Sequence, residues 1–181
     1  MQNSLISNYS TTLMIEQYKA LAESLADAEF RFEDKKVKGH LGSFLPITHY
    51  YINLNYKGYS IEAKNELGNF NMGTVSVDLK HHEIPDFKIN ATDHFTNLFL
   101  RRKNILKVKS NDSIFKEKLI EFSIESNLEK IAKENSFEPS IYPKHEIGKQ
   151  LIITDYSLQL DDKIGALEAI INFYKRIIDS I

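Results

Sequence analysis

His81, His82, Glu83 and Asp86 fall within six residues, and Asp93 and His94 follow shortly after. Neutral imidazole and carboxylate together suit zinc, iron, manganese or nickel. A catalytic zinc site needs about three such ligands and one open position. His82, Glu83, Asp86 and His94 are therefore the candidate metal set, and metal-dependent hydrolysis is the chemistry they would carry. Two features weigh against them. Adjacent side chains on a strand point to opposite faces, so His81 and His82 both ligate only where the backbone leaves the extended form. The H-E-x-x-H spacing of a helical zinc site is missing, because Asp86 stands three places beyond Glu83. The plainer reading is a solvated polar turn that ends one strand and, through Pro85, leads into the next. The metal set converges only if that turn folds His82 and Glu83 back towards Asp93 and His94.

A second constellation is basic. Arg101, Arg102, Lys103, Lys107 and Lys109 follow one another with no acid among them. The first three come after an expected helix end, where cations offset exposed carbonyls. Lys107 and Lys109 share one face of a strand, opposite Leu106 and Val108. Such a run could form a patch for phosphates, an anionic partner or a membrane surface. It reads equally as helix-end chemistry followed by a solvated strand face. Nucleic acid is disfavoured: net charge is −2, and 19 lysines stand against 4 arginines, the side chain that reads phosphates and bases bidentately.

Other activities are excluded more simply. The chain has no cysteine, which removes disulfides, thiolate metal sites and cysteine nucleophiles. It has no G-x-G-x-x-G, no phosphate-binding G-x-x-x-x-G-K-[ST], and no G-x-S-x-G around Ser43. No cofactor is expected. "MQNSLISNYSTTLMI" lacks the charge and the apolar run of a secretory signal. No apolar run reaches 18 residues, so no transmembrane segment is expected. A cytoplasmic setting follows from these readings.

The elements that must position these residues are legible from periodicity. Met14, Tyr18, Leu21, Leu25, Ala28 and Phe32 recur at steps of three and four, which predicts a helix over 11–30 behind a flexible N-terminus of residues 1–10. From Thr48 the period becomes two. Tyr50, Ile52, Leu54 and Tyr56, then Tyr59, Ile61 and Ala63, predict a hairpin turned by "YKGY". Val75, Val77 and Leu79 mark a third strand, and Phe87 and Ile89 a fourth. Thr92 can cap a short helix carrying Phe95, Leu98 and Phe99. A strand near 105–109, a helix begun by Asp112 or Ser113, and a second helix begun at Ser126 follow. Leu151 to Leu160 is strand-like. A closing helix is capped by Asp161 or Asp162 and carries Ile164, Leu167, Ile171, Tyr174, Ile178 and Ile181. The fold class is α+β: residues 11–181 form one domain, an antiparallel meander of three to four strands plus later strands, packed by N-terminal and C-terminal amphipathic helices. Tyr50, Tyr56, Tyr59 and Phe70 either fill the core or line a cavity under the last helix, and the core is favoured.

"FKIN" (87–90), "LKVKSNDSIFKEKLIEF" (106–122) and "LIITDYSLQLDD" (151–162) together resemble a group of uncharacterised bacterial proteins. Their domain repeats an apolar strand, a strand ending in a Ser-x-Asp-like turn, and a helix led by Phe. The resemblance covers about half the chain and implies no enzymatic activity and no catalytic residue. Several members carry membrane spans ahead of the domain.

The expectation is therefore a non-catalytic cytoplasmic domain that binds a protein or a small ligand. The alternatives are the metal-dependent hydrolase and the basic patch for an anionic surface. A homodimer is also in view, through the closing helix or the heptad-like first helix.

Overall fold

Eight extended segments, several of them with a clear two-residue period, pair into one sheet. The computed structural model describes residues 2–38, 44–91, 104–135, 137–146 and 148–181, with side chains described from residue 12 onward. The strands are β1 (Ala28–Lys38), β2 (Phe44–Tyr56), β3 (Tyr59–Leu67), β4 (Met72–Asp78), β5 (Phe87–Ala91), β6 (Leu106–Ser110), β7 (Ser140–Glu146) and β8 (Lys149–Ser157). Their order is β1-β2-β3-β4-β8-β7-β5-β6, antiparallel at every step. Four helices flank them among the described residues: α1 (Gln2–Ser24), α2 (Ser113–Glu125), α3 (Leu128–Glu134) and α4 (Lys163–Asp179). The result is the expected α+β class. No helix among the described residues is long and apolar enough to cross a membrane.

The meander β1–β4 is built by local chemistry. Lys57 and Gly58 both have positive φ, 51° and 81°, the primed turn whose twist matches a two-residue hairpin. Asn55 tightens it by accepting a bond from the Gly58 N–H through Oδ1 at 3.0 Å. Along β3, Ile61, Ala63 and Asn65 are buried while Ser60, Glu62 and Lys64 are exposed, so one face of the sheet is covered and the other is open.

The helices lie on the covered face. Asp112 caps α2 by accepting the Phe115 N–H at 2.9 Å, and Asp162 caps α4 by accepting the Gly165 N–H at 2.7 Å. Such caps satisfy N–H groups that the first turn leaves orphaned. α4 buries Ala166, Leu167, Ala169, Ile170, Ile171, Phe173, Tyr174, Ile177 and Ile178 against its own chain. Each of its large apolar side chains contributes roughly 1.5–3 kcal/mol of transfer free energy. Its apolar stripe is thereby covered by the sheet and by the neighbouring helices α2 and α3.

The structure differs from the sequence reading in several places, and the strand of Phe87 and Ile89, expected to continue the meander, pairs with β6 and β7 instead of β4. The first helix begins at Gln2 and ends at Ser24, not near residue 30. Asp27 takes φ 58° and β1 starts at Ala28. Ala28, Phe30 and Phe32 fit a period of two as well as Ala28 and Phe32 fit a period of four, and an unbroken eleven-residue ladder with β2 decides for the strand. Ser126 ends α2, its N–H bonded to the Phe122 carbonyl, and does not begin the next helix. Glu129 reaches the N–H groups of Ile105 and Leu106 instead. Pro143 lies within β7 opposite Ile152. The β5–β7 pairing is confined to Ile89 with Ile141 and Asn90 with Ser140, so the missing proline N–H removes no ladder bond on that side. The short helix expected after Thr92 lies outside the described residues.

Candidate functional site

The turn after β4 is fixed by local hydrogen bonds. The Asp78 carboxylate accepts the Lys80 N–H at 2.8 Å, Lys80 takes φ 58°, and the His82 N–H donates to the Leu79 carbonyl at 3.1 Å. Ile84, buried, anchors the loop to the core. This geometry separates the candidate ligands. The His82 ring lies 6.0 Å from the Tyr59 ring, over β3. Asp86 turns the other way, 3.8 Å from His145 of β7. Glu83 is exposed. His94 lies outside the described residues. Among the described residues no three His, Asp or Glu side chains come together as a metal would need.

The basic run divides in the same way. Arg101, Arg102 and Lys103 lie outside the described residues. Lys107 and Lys109 stand on the open face of β6, exposed, while Leu106 and Val108 are buried, as their parity required. Register adds what parity could not. Lys88 of β5 sits directly opposite Lys109, and Asn90 opposite Lys107. Like charges directly opposite on an antiparallel pair are destabilising. Glu146 pairs with Lys144 and Asp78 with Lys149, while Asp86, 3.8 Å from His145, stands beside Lys88 and Lys109.

Beside these lysines lies a depression of about 300 Å³ whose lining includes Asp86, Lys88, Lys109, Ser110 and Tyr142. Ser110 Oγ donates to the Asp86 carbonyl at 2.9 Å and accepts the Asp112 N–H at 3.2 Å, which holds its rim. The Tyr142 hydroxyl donates to Asp155 Oδ2 at 2.8 Å, and Thr74 Oγ1 donates to Asp155 Oδ1 at 2.8 Å. The hydrogen bond to Asp155 is the main cause that raises Tyr142 above the ordinary tyrosine range. Asp155 is thus occupied on both oxygens, while both lysines remain available. Lys88, Ser110 and Tyr142 were not singled out from sequence. The signal for Lys88 was present in "FKIN", where it holds the polar parity between Phe87 and Ile89, but its position opposite Lys109 needed the register.

A second depression, about 370 Å³, lies along α4 and is lined by Tyr56, Glu125, Asn172, Lys175, Arg176 and Asp179. Among the described residues its charges are paired except for Lys175, which lies 5.3 Å from the Tyr56 ring and which burial lowers below the ordinary lysine range. Lys57 pairs with Asp179 at 2.6 Å, Arg176 with Glu125 at 3.3 Å, and the Tyr56 hydroxyl donates to Asp179. The hydrogen bond from Lys57 holds Asp179 below the usual carboxylate range.

The strongly perturbed titratable groups are buried tyrosines. Asn65 of β3 donates to the Tyr18 hydroxyl and accepts from the Tyr156 hydroxyl at 2.8 Å. The Tyr174 hydroxyl meets Thr154 Oγ1 at 2.7 Å and donates to the Val75 carbonyl at 3.0 Å. Burial, the largest cause, pushes all three phenols well above their ordinary range. They are neutral core hydrogen-bonding groups, shut off from substrate. Tyr50 stacks on Tyr18 at 4.7 Å, Tyr56 turns its hydroxyl out to Asp179, and Phe70 is 72% exposed, so these three line no common space with Tyr59, the fourth aromatic named from sequence. Comparison with protein-family models, curated proteins and solved structures finds no match to this chain.

Proposed function

We propose that this chain is a non-catalytic binding domain that recognises an anionic group, a phosphate or carboxylate carried by a small molecule or a protein, at the β5–β6–β7 end of the open sheet face. One observation carries the reading: Lys88 and Lys109 face each other across a ladder, next to Lys107 and a depression, and among the described residues neither is held in an ion pair, although Asp86 shares the depression. An anion between two opposed ammonium groups converts their repulsion into two charge-assisted hydrogen bonds. The cytoplasmic setting that accompanies this reading rests on the cysteine-free composition.

Inorganic phosphate, titrated while backbone amide resonances are followed, tests it. Saturable shifts are expected at Lys88, Lys109, Ser110 and Tyr142. They are expected to weaken with added salt and to vanish in Lys88→Ala/Lys109→Ala. No saturable shift in the wild-type chain, or shifts unchanged in the double variant, would sink the proposal.

A further inference from the structure

β1 ends the sheet on the side away from the lysines. The Asp27 carbonyl accepts the Asn55 N–H at 3.2 Å, and the β1–β2 register runs unbroken from there. Backbone groups alternate in direction along an antiparallel strand. Odd-numbered residues therefore bond to β2, while Ala28, Phe30, Phe32, Asp34 and Lys36 turn their N–H and C=O groups outward. Among the described residues nothing pairs with that edge. Such a row is a template for another strand.

The side chains specify which strand. The open face of β1 carries Glu29, Arg31, Glu33 and Lys35 in alternating sign. Phe32, on the other face, is 43% exposed and lies 6.2 Å from Phe30, at the outer end of a stack that continues to Tyr18 and Tyr50. We infer that β1 pairs antiparallel with β1 of a second copy of this chain about a two-fold axis at Phe32. In that register Arg31 faces Glu33 of the copy, Glu29 faces Lys35, both pairs occur twice, and Phe32 meets its own copy. The contact is self-complementary, as an isologous interface must be.

Neighbouring registers are rejected by the same charges. An axis at Arg31 sets Arg31 against itself and Glu29 against Glu33. An axis at Glu33 sets Glu33 against itself and Arg31 against Lys35. Opposed like charges are unfavourable where opposed unlike charges are favourable; axes at Phe30 or Asp34 make only two unlike pairs on this face, and the Phe32 axis, with four, is the best matched alignment. In the single chain these charges pair along the strand, Arg31 with Glu33 at 2.7 Å and Lys35 with Glu33 at 3.0 Å, and all are surface groups that can exchange partners. The inference stands apart from the anion reading, which uses the opposite end of the sheet.

Sedimentation equilibrium from dilute to millimolar-range protein tests it. Wild-type chain is expected to double its mass as concentration rises. Arg31→Glu is expected to lose the dimer, and Arg31→Glu/Glu33→Arg to regain it, because the exchange restores every cross-chain pair at the Phe32 axis. Far-UV circular dichroism checks folding; should Arg31→Glu misfold, Glu29→Lys and Glu29→Lys/Lys35→Glu give the same contrast. A wild-type chain that stays single at every concentration, a dimer indifferent to the single charge change, or a double exchange that restores nothing overturns the inference.

Discussion

The two faces of the sheet use the same residue types to opposite ends. On the covered face Tyr18, Tyr156 and Tyr174 each find a specific partner, and Asn65 holds two of them at once. On the open face Tyr51 lies under the Arg31 guanidinium at 3.9 Å, and Tyr142 bonds to Asp155 within reach of solvent. A buried polar atom costs the full desolvation penalty if its partner is lost, whereas an exposed one finds water. Polar groups of the covered face are therefore fixed by folding. Those of the open face are constrained little by stability, and that is where binding chemistry can be placed.

Alkali should break this contrast most completely. An unfolded tyrosine ionises near pH 10, while burial holds Tyr18, Tyr156 and Tyr174 protonated well above that. Below about pH 10 both states bind these protons and stability is intact. As pH rises further the unfolded state releases them, the folded state does not, and stability falls. Tyrosinate absorbance is expected to rise in two phases, the later one coinciding with loss of the circular dichroism signal; a single phase in a still-folded chain would contradict it.

Asn65→Ala comes next. It strands two buried hydroxyls, and a loss of about 3 kcal/mol in urea unfolding is expected, at 1–3 kcal/mol for each unsatisfied group. The smallest effect sharpens the comparison directly. Tyr174→Phe, which abandons Thr154 and the Val75 carbonyl, is expected to cost about 2 kcal/mol, and Tyr142→Phe only about 0.5 kcal/mol. Equal losses would mean that the faces do not differ as described.

Much of this architecture was legible because it is written in local periods. β2, β3 and β4 follow two-residue alternation, α4 a clean helical stripe with its Asp162 cap, and the Lys57–Gly58 turn its own chemistry. α1 ran too long in the sequence reading because Ala28 and Phe32 satisfy both periods, and only pairing with β2 distinguishes them. Prolines hid β7. The placement of β8 between β4 and β7 depends on contacts far apart in the chain, and no local pattern reports them. The basic site was half legible: Lys107 and Lys109 were named, but Lys88 became their neighbour only through cross-strand register. Asn65 carried an unused signal, a polar residue at the buried parity of Ile61 and Ala63.

Gly73 has a consequence for how the chain assembles. It stands on β4 directly between Asn65 of β3 and Tyr156 of β8, and an added Cβ would lie 2.4 Å from both Asn65 Oδ1 and the Tyr156 ring. The empty place lets two side chains join hands over an intervening strand, so the clasp closes only when β8 docks. Residues 79–148 separate the two strands, which at 5–20 residues per second is roughly 4–14 s of synthesis. Throughout that interval a nascent meander presents β4 as an unpaired margin with a notch in it, and the ribosome delivers the strand that fills it late.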